Sequence, residues 1–190
     1  MTELQEIARQ IASCTGCSLS ETRNRAVSGE GPEQVDLMFI GEAPGHYEDM
    51  QGRPFVGAAG QFLDRLLESI GLSREQVFIA NTLKCRPPNN RDPNPGEIAA
   101  CSHYLDRQIE LLQPKVIVTL GRHSLGRFLP GETISKAHGR PRRKGDYIIY
   151  PMYHPAAALH QPSLRQAMED DFKGLPAVIA QRTVSEPPEP

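Results

Sequence analysis

Four short apolar runs separated by amphipathic stretches set the outline of this chain. "VDLMFIG" (35–41), "QVFIANT" (76–82) and "KVIVTLG" (115–121) are rich in β-branched residues, and "YIIYPMY" (147–153) is a less regular fourth. Their hydrophobicity is nearly continuous instead of alternating, which predicts strands covered on both faces, as in a parallel sheet. Helical patterns lie between and after them. "AAGQFLDRLLESIGL" puts Phe62, Leu63, Leu66, Leu67 and Ile70 on one face and stops at Gly71, a residue suited to the left-handed position beyond a helix end. "NPGEIAACSHYLDRQIELLQP" opens with Asn94 as N-cap, Pro95 first and Glu97 third in the helix, and closes before Pro114. "SLRQAMEDDFKGL" follows the fourth run, and the polar start "MTELQEIARQ" is also helical in period.

Strand and helix alternate, so the expected class is α/β: a three-layer α/β/α sandwich with right-handed crossovers. In such sheets a ligand sits beyond the carboxyl ends of the strands. The loops that matter therefore start at Gly41, Asn81, Gly121 and His154.

Composition narrows the picture. With 190 residues and 38% apolar content, one domain is expected over residues 1–180. The proline-rich acidic end "SEPPEP" marks residues 181–190 as a disordered tail. No apolar run reaches about 18 residues and the N-terminus is polar, so neither a membrane span nor a secretory signal is expected, and the protein is read as soluble and cytoplasmic. The net charge of −2 argues against coating nucleic acid or anionic membrane by bulk electrostatics. Locally, "KAHGRPRRK" (136–144) is basic throughout, either a solvated loop or a phosphate-contacting one.

All four cysteines fall into one pattern, C-x2-C at Cys14 and Cys17 and C-x15-C at Cys85 and Cys101. Disulfides explain them poorly in a cytosolic chain. A C-x2-C pair brings two thiolates to one metal centre. Structural zinc favours two short knuckles around one ion, whereas a cubane cluster accepts dispersed ligands. Cys101 lies inside a predicted helix, so spacing leans toward a 4Fe-4S cluster over zinc.

The loop-initiating residues Glu42, Asn81 and His154 are each explicable alone, as a solvent-facing acid, a turn cap and a histidine satisfying a local carbonyl. Together one sheet edge brings them into a single cleft. It would hold a base or water-positioner, an amide with both donor and acceptor, and a donor for a developing anion. Phe55 in "GRPFVGAAG" adds an aromatic face suited to a planar heterocycle. Phosphoryl transfer lacks its G-x-x-x-x-G-K motif here, and acyl transfer its G-x-S-x-G.

"GEAPGHYED" (41–49), "GRPFVGAAGQFLDRLL", "ANTLKCRPPNNRDPNPGEIAAC", "YHPAAAL" and the cysteine pattern resemble the family-4 uracil-DNA glycosylases, the iron–sulfur branch of their superfamily. The resemblance runs in order from Cys14 to Leu175. It implies a central four-stranded parallel sheet, a 4Fe-4S cluster held by Cys14, Cys17, Cys85 and Cys101, and removal of uracil from single- or double-stranded DNA. By the same resemblance Glu42 positions or activates the hydrolytic water, the Ala43 backbone lines the pocket, Phe55 stacks on the flipped base, Asn81 reads its edge and His154 donates to uracil O2. A monomeric DNA-repair enzyme of bacterial or archaeal type, working on the nucleoid, is implied.

Chemistry supports the edge reading. Uracil offers an N3–H donor beside an O4 acceptor, which one amide complements and which cytosine reverses. Thymine differs by a methyl, so its exclusion is steric, and Glu48 in the same loop is the candidate guard. Leu159 in "HPAAALHQPS" is either a wedge filling the space left by the flipped base or a core leucine. Two features depart from relatives. Ala43 stands where many members have glycine, and "RPPNNRDPNP" after Cys85 lacks the basic insertion and histidine with which a related branch traps the abasic sugar. Turnover without a covalent adduct is therefore expected. The rival is a non-catalytic DNA-binding or redox-sensing protein built around the cluster.

Overall fold

The computed structural model describes residues 1–184, and of 182–184 the backbone alone. In chain order its elements are α1 (Glu3–Ser13), α2 (Leu19–Thr22), β1 (Leu37–Gly41), α3 (His46–Gln51), α4 (Ala58–Ser69), β2 (Phe78–Asn81), α5 (Pro95–Leu112), β3 (Val116–Leu120), α6 (Arg122–Phe128), α7 (Ile134–Ala137), β4 (Arg142–Lys144), β5 (Tyr147–Met152), α8 (Pro155–Ala158) and α9 (Pro162–Val184). The last helix continues past residue 180, where the sequence ends the domain. The rest of the expected tail lies outside the described residues.

The sheet has the order β2-β1-β3-β5-β4. The four runs read as strands form its parallel part, with Gly41 beside Asn81 and Val116 beside both Leu37 and Ile148. The sheet has five strands instead of the expected four, because Arg142–Lys144 folds back antiparallel onto Tyr147–Ile149. The basic run is thus in part an edge strand. Gly145, at φ +57°, opens the two-residue turn that permits this hairpin. "RRK" has no apolar face to announce a strand, and its charges discourage further pairing at the edge.

Alternate residues of the inner strands enter opposite cores, which explains their continuous hydrophobicity. Leu37, Phe39, Ile79 and Val118 meet Phe62, Leu63 and Leu66 of α4 and Met168 and Phe172 of α9 on one face. Met38, Ile40, Phe78 and Ile117 meet Leu105 and Leu112 of α5 and Phe128 of α6 on the other. The helix ends follow the sequence signals. Asn94 and Glu97 form a reciprocal capping box with Pro95 at the first position. At the end of α4 the Leu72 N–H reaches the Leu67 carbonyl and the Gly71 N–H the Glu68 carbonyl, a Schellman stop with Gly71 at φ +76°. The chain turns from β2 to the far side of β1 to make β3, so the strand order reverses around β1. The crevice at that reversal opens at the carboxyl ends of the parallel strands.

Candidate active site

Parallel pairing sets Gly41 directly beside Asn81, and the loops beyond stay zipped. The Thr82 and Leu83 N–H groups donate to the carbonyls of Gly41 and Glu42 at 3.0 and 2.9 Å. This fixes Asn81 at the floor of a cleft of about 290 Å³ lined by Glu42, Ala43, Glu48, Phe55, Asn81 and His154. All six residues assigned from sequence to base recognition and chemistry share this one cavity. Asn81 is 2% exposed, and its Oδ1 is buried without a hydrogen-bond partner. Such an acceptor is costly to leave unpaired, and here it belongs to a residue on the wall of a cavity that a ligand donor can enter.

Phe55 adopts φ 51°, an uncommon conformation for a bulky residue. Three contacts hold it there. Gly60 of α4 lies so close that an added Cβ would fall 1.8 Å from the Phe55 carbonyl oxygen. Arg74, in the short turn before β2, donates to the carbonyls of Pro54 (2.6 Å) and Phe55 (2.8 Å) and is anchored by Glu30 at 2.9 Å and Asp64 at 3.1 Å. Glu48 Oε1 accepts from the N–H groups of Val56 (2.9 Å) and Gly57 (3.1 Å). Glu48 thus lines the cleft with one carboxylate oxygen committed to fixing the aromatic loop. Sequence reading does not find Arg74, since nothing in its neighbourhood separates it from any surface arginine. Asp49, one more acid of the first loop, is buried and accepts from the Asn24 backbone (2.9 Å) and side chain (2.6 Å), so its role is structural.

His154 is the N-cap of α8, and its Nδ1 accepts from the Ala156 N–H at 3.1 Å. The ring proton therefore sits on Nε2. Burial pushes the imidazole pKa down to about 4 against the opposing pull of Glu48, so the group is a neutral donor near pH 7. The ring stacks on Phe55 with centroids 5.6 Å apart. Gly121, at φ +91°, leaves the space into which His154 Cβ projects, 3.1 Å from where a Cβ on Gly121 would lie.

Glu42 is partly buried, and desolvation raises its carboxyl pKa while His123 opposes the rise. His123 Nε2 lies 3.7 Å from Glu42 Oε2 and 3.5 Å from Asp92 Oδ1. Among the described residues these three alone bring His, Cys or carboxylate donor atoms mutually within 4.8 Å, a set able by type to hold a cation. Asp92 is already paired with Arg122 at 2.5 Å. Leu159, just past α8, is 43% exposed and is no core residue, while Tyr47 on α3 is 60% exposed.

The cysteines gather on the other side of Asn81. Cys14 and Cys17 follow α1, which packs on α5, the helix carrying Cys101. All four cysteines line one cavity walled by Leu19, Leu83 and Tyr104. Donors point at the sulfurs: Arg23 Nη1 at Cys85 (3.0 Å), the Gly16 N–H at Cys14 (3.4 Å) and the Lys84 N–H at Cys101 (3.4 Å). Burial pushes the Cys101 thiol up to about 11 and raises Cys85, so each keeps its proton until a metal displaces it. Among the described residues no three of these sulfurs lie within 4.8 Å of one another. A single tetrahedral zinc with bonds of about 2.3 Å needs them closer, at about 3.8 Å. Lys84 joins the two sites. Its buried ammonium donates to the Asn81 carbonyl (3.0 Å) and to Gln108 Oε1 (2.7 Å), and burial pushes its pKa down to about 8.

Comparison with known proteins gives one consistent answer. The sequence model of the uracil DNA glycosylase superfamily matches residues 28–174. The chain is 51% identical to the Type-4 uracil-DNA glycosylase of Sulfurisphaera tokodaii, over 91% of this chain and 83% of that protein. It is 48% identical to that of Archaeoglobus fulgidus over 91% and 92% of the two chains, and 44% identical to that of Thermotoga maritima over 90% and 92%.

Proposed function

The chain belongs to the uracil-DNA glycosylase superfamily, and from that premise we infer that it excises uracil from DNA by hydrolysing the N-glycosidic bond in the cleft around Asn81. The observation that carries this reading is the unpartnered, buried Oδ1 of Asn81 in that cleft, an acceptor matched to uracil N3–H. The amide's N–H2 then serves O4. Cytosine reverses both and leaves two polar groups unpaired at about 1–3 kcal/mol each.

The base must first leave the helical stack, at a cost of a few kcal/mol. Phe55 offers the flipped base an aromatic face on a loop that Arg74 and Glu48 keep from moving. Leu159, exposed beyond His154, fills the vacated space in the duplex. Glu48 closes the wall against which the C5 methyl of thymine would press.

Bond cleavage leaves negative charge on uracil and positive charge on the sugar. The neutral His154 donates its Nε2–H to O2 and stabilises the first without having to lose its proton. The Glu42 carboxylate stabilises the second and orients the water that captures the sugar. No side chain in the "RPPNNRDPNP" segment supplies a trapping histidine, so the products are free uracil and an abasic site, with no lyase step. The protein acts as a monomer on DNA.

Cys14, Cys17, Cys85 and Cys101 hold a 4Fe-4S cluster in this reading. The four cysteines around one cavity and the donors aimed at three of them support a metal–thiolate centre, and the separation of the sulfurs, no three of which lie within 4.8 Å of one another among the described residues, favours a cluster over a single zinc. When bound, the cluster supplies four iron–thiolate cross-links that tie the segment after α1 to the loop after β2 and to α5. Among the described residues no helix is long and apolar enough to cross a membrane.

The test is direct. Metal-loaded protein is incubated with single-stranded and duplex oligonucleotides carrying one uracil, then treated with alkali. Strand scission at the uracil is expected in both, and its absence would overturn the assignment.

A further inference from the structure

α6 opens with Arg122-His123, a pair that the excision steps leave without a role. His123 Nε2 is buried and has no hydrogen-bond partner, yet two carboxylate oxygens lie 3.5 and 3.7 Å away, on Asp92 and Glu42. Three segments distant in sequence converge here: the loop after β1 with Glu42, the loop ahead of α5 with Asp92, and the first turn of α6 with His123. These distances are longer than a hydrogen bond, and catalytic hydrogen bonds commonly tighten only once substrate is bound.

We propose that His123 is a positioning residue for Glu42, offering its Nε2–H to the Glu42 carboxylate and so keeping that acid ionised and turned toward the water. The proposal rests on the reading of Glu42 as the group that orients water and faces the sugar cation.

The electrostatic need is visible in what surrounds Glu42. Burial favours its neutral form, and the like charge of Asp92 from the loop ahead of α5 works in the same direction. His123 and Arg122, both from α6, are the groups that oppose them. Arg122 is already engaged with Asp92 at 2.5 Å, an exposed pair at the rim. That leaves His123 as the donor directly available to Glu42. Arg91, Glu48 and His154 line the same cleft, but Arg91 is committed to Glu97 at 2.6 Å and Glu48 to the loop at Val56 and Gly57. A neutral Glu42 could neither stabilise a cation nor accept a hydrogen bond through a full negative charge. Uracil binding expels water from the cleft, and a donor to the ionised form then counts for more.

The experiment measures kcat and KM between pH 5 and pH 8 on a single-stranded uracil oligonucleotide, using metal-loaded full chain. The wild type, Glu42→Gln, His123→Ala and His123→Gln are compared. If Glu42 is the group whose ionisation sets the acid limb of kcat, Glu42→Gln abolishes that limb. Retention of the wild-type limb by Glu42→Gln sinks the reading of Glu42 itself. If the limb does belong to Glu42, His123→Ala shifts it upward by about one pH unit, which is roughly a tenfold loss of kcat on the acid side. The loss shrinks toward pH 8, and KM stays near the wild-type value. His123→Gln, whose amide N–H reaches the same oxygen, restores part of the shift. A His123→Ala profile lowered evenly at every pH, or one left unmoved, overturns the proposal. Should His123→Ala fold poorly, His123→Gln and His123→Asn decide together: a smaller upward displacement of the limb in His123→Gln than in His123→Asn is expected, and equal limbs in the two variants refute the role.

Discussion

Gly41 and Asn81 stand side by side across the β1–β2 pair, and the missing side chain of Gly41 is what gives the Asn81 amide its place. A Cβ on Gly41 would lie 2.4 Å from Asn81 Oδ1 and 2.6 Å from Phe55 Cζ. One position therefore sets both the Asn81 amide and the Phe55 ring, the proposed edge reader and stacking face. Gly41→Ala is expected to lower kcat/KM on the order of 100-fold, the scale of an ångström-level displacement of positioning groups. Its Tm should fall far less than its activity, and steady-state kinetics with thermal melting separates the two effects.

Asn81→Asp leaves an acceptor where the base-facing donor was. Uracil then loses its partner at O4, and excision should fall by roughly 100-fold, about what two unpaired polar groups cost. The ratio of activity on uracil to activity on cytosine should narrow. Parallel assays on matched oligonucleotides measure it, and an unchanged ratio would remove Asn81 from base selection.

Arg74→Ala releases the carbonyls of Pro54 and Phe55 and leaves Glu30 with Arg53 as its remaining ion-pair partner. Stability should drop by about 2 kcal/mol, as for other hydrogen bonds to a charged group. The rate should fall as well, since the φ 51° conformation of Phe55 loses its support. Denaturant titration checks the first and kcat/KM the second.

His154 gives a pH signature in stability. Its imidazole is held neutral down to about 4 in the fold, against an ordinary value of 6.5 in the unfolded chain. Between those values the unfolded chain binds the extra proton, so stability rises with pH across this window and is lost on acidification. Tm should therefore decline as pH falls from about 6.5 toward 4, and His154→Gln should flatten that decline. The same variant should lose most of its kcat at neutral pH while still binding uracil-containing DNA.

If the four cysteines hold the proposed cluster, Cys101→Ser should abolish visible iron–sulfur absorption and lower Tm, because the cross-link to α5 would be lost. Arg23→Ala should retain the absorption but make the centre easier to strip with a chelator, since one N–H donor to Cys85 is gone. Metal analysis of the wild type decides the identity of the centre: stoichiometric zinc without iron overturns the cluster.

The four parallel strands, the end of α4 at Gly71, the start of α5 and the residues at the strand ends were legible in the chain itself. Nearly continuous apolar runs marked β1, β2, β3 and β5, and the Asn94, Pro95 and Glu97 signals marked the start of α5, because backbone geometry and local burial act over a few neighbours. Parallel order then brought Glu42, Asn81 and His154 to one edge. The supports of the site were not legible in this way. Arg74 under Phe55, Arg23 on Cys85, Lys84 on Gln108, and His123 beside Glu42 all act across segments apart in sequence. A long polar side chain has the same local pattern whether it ends in water or on a distant carbonyl. Only the packing of the loops, and hence the register of the strands that carry them, decides which of these it does.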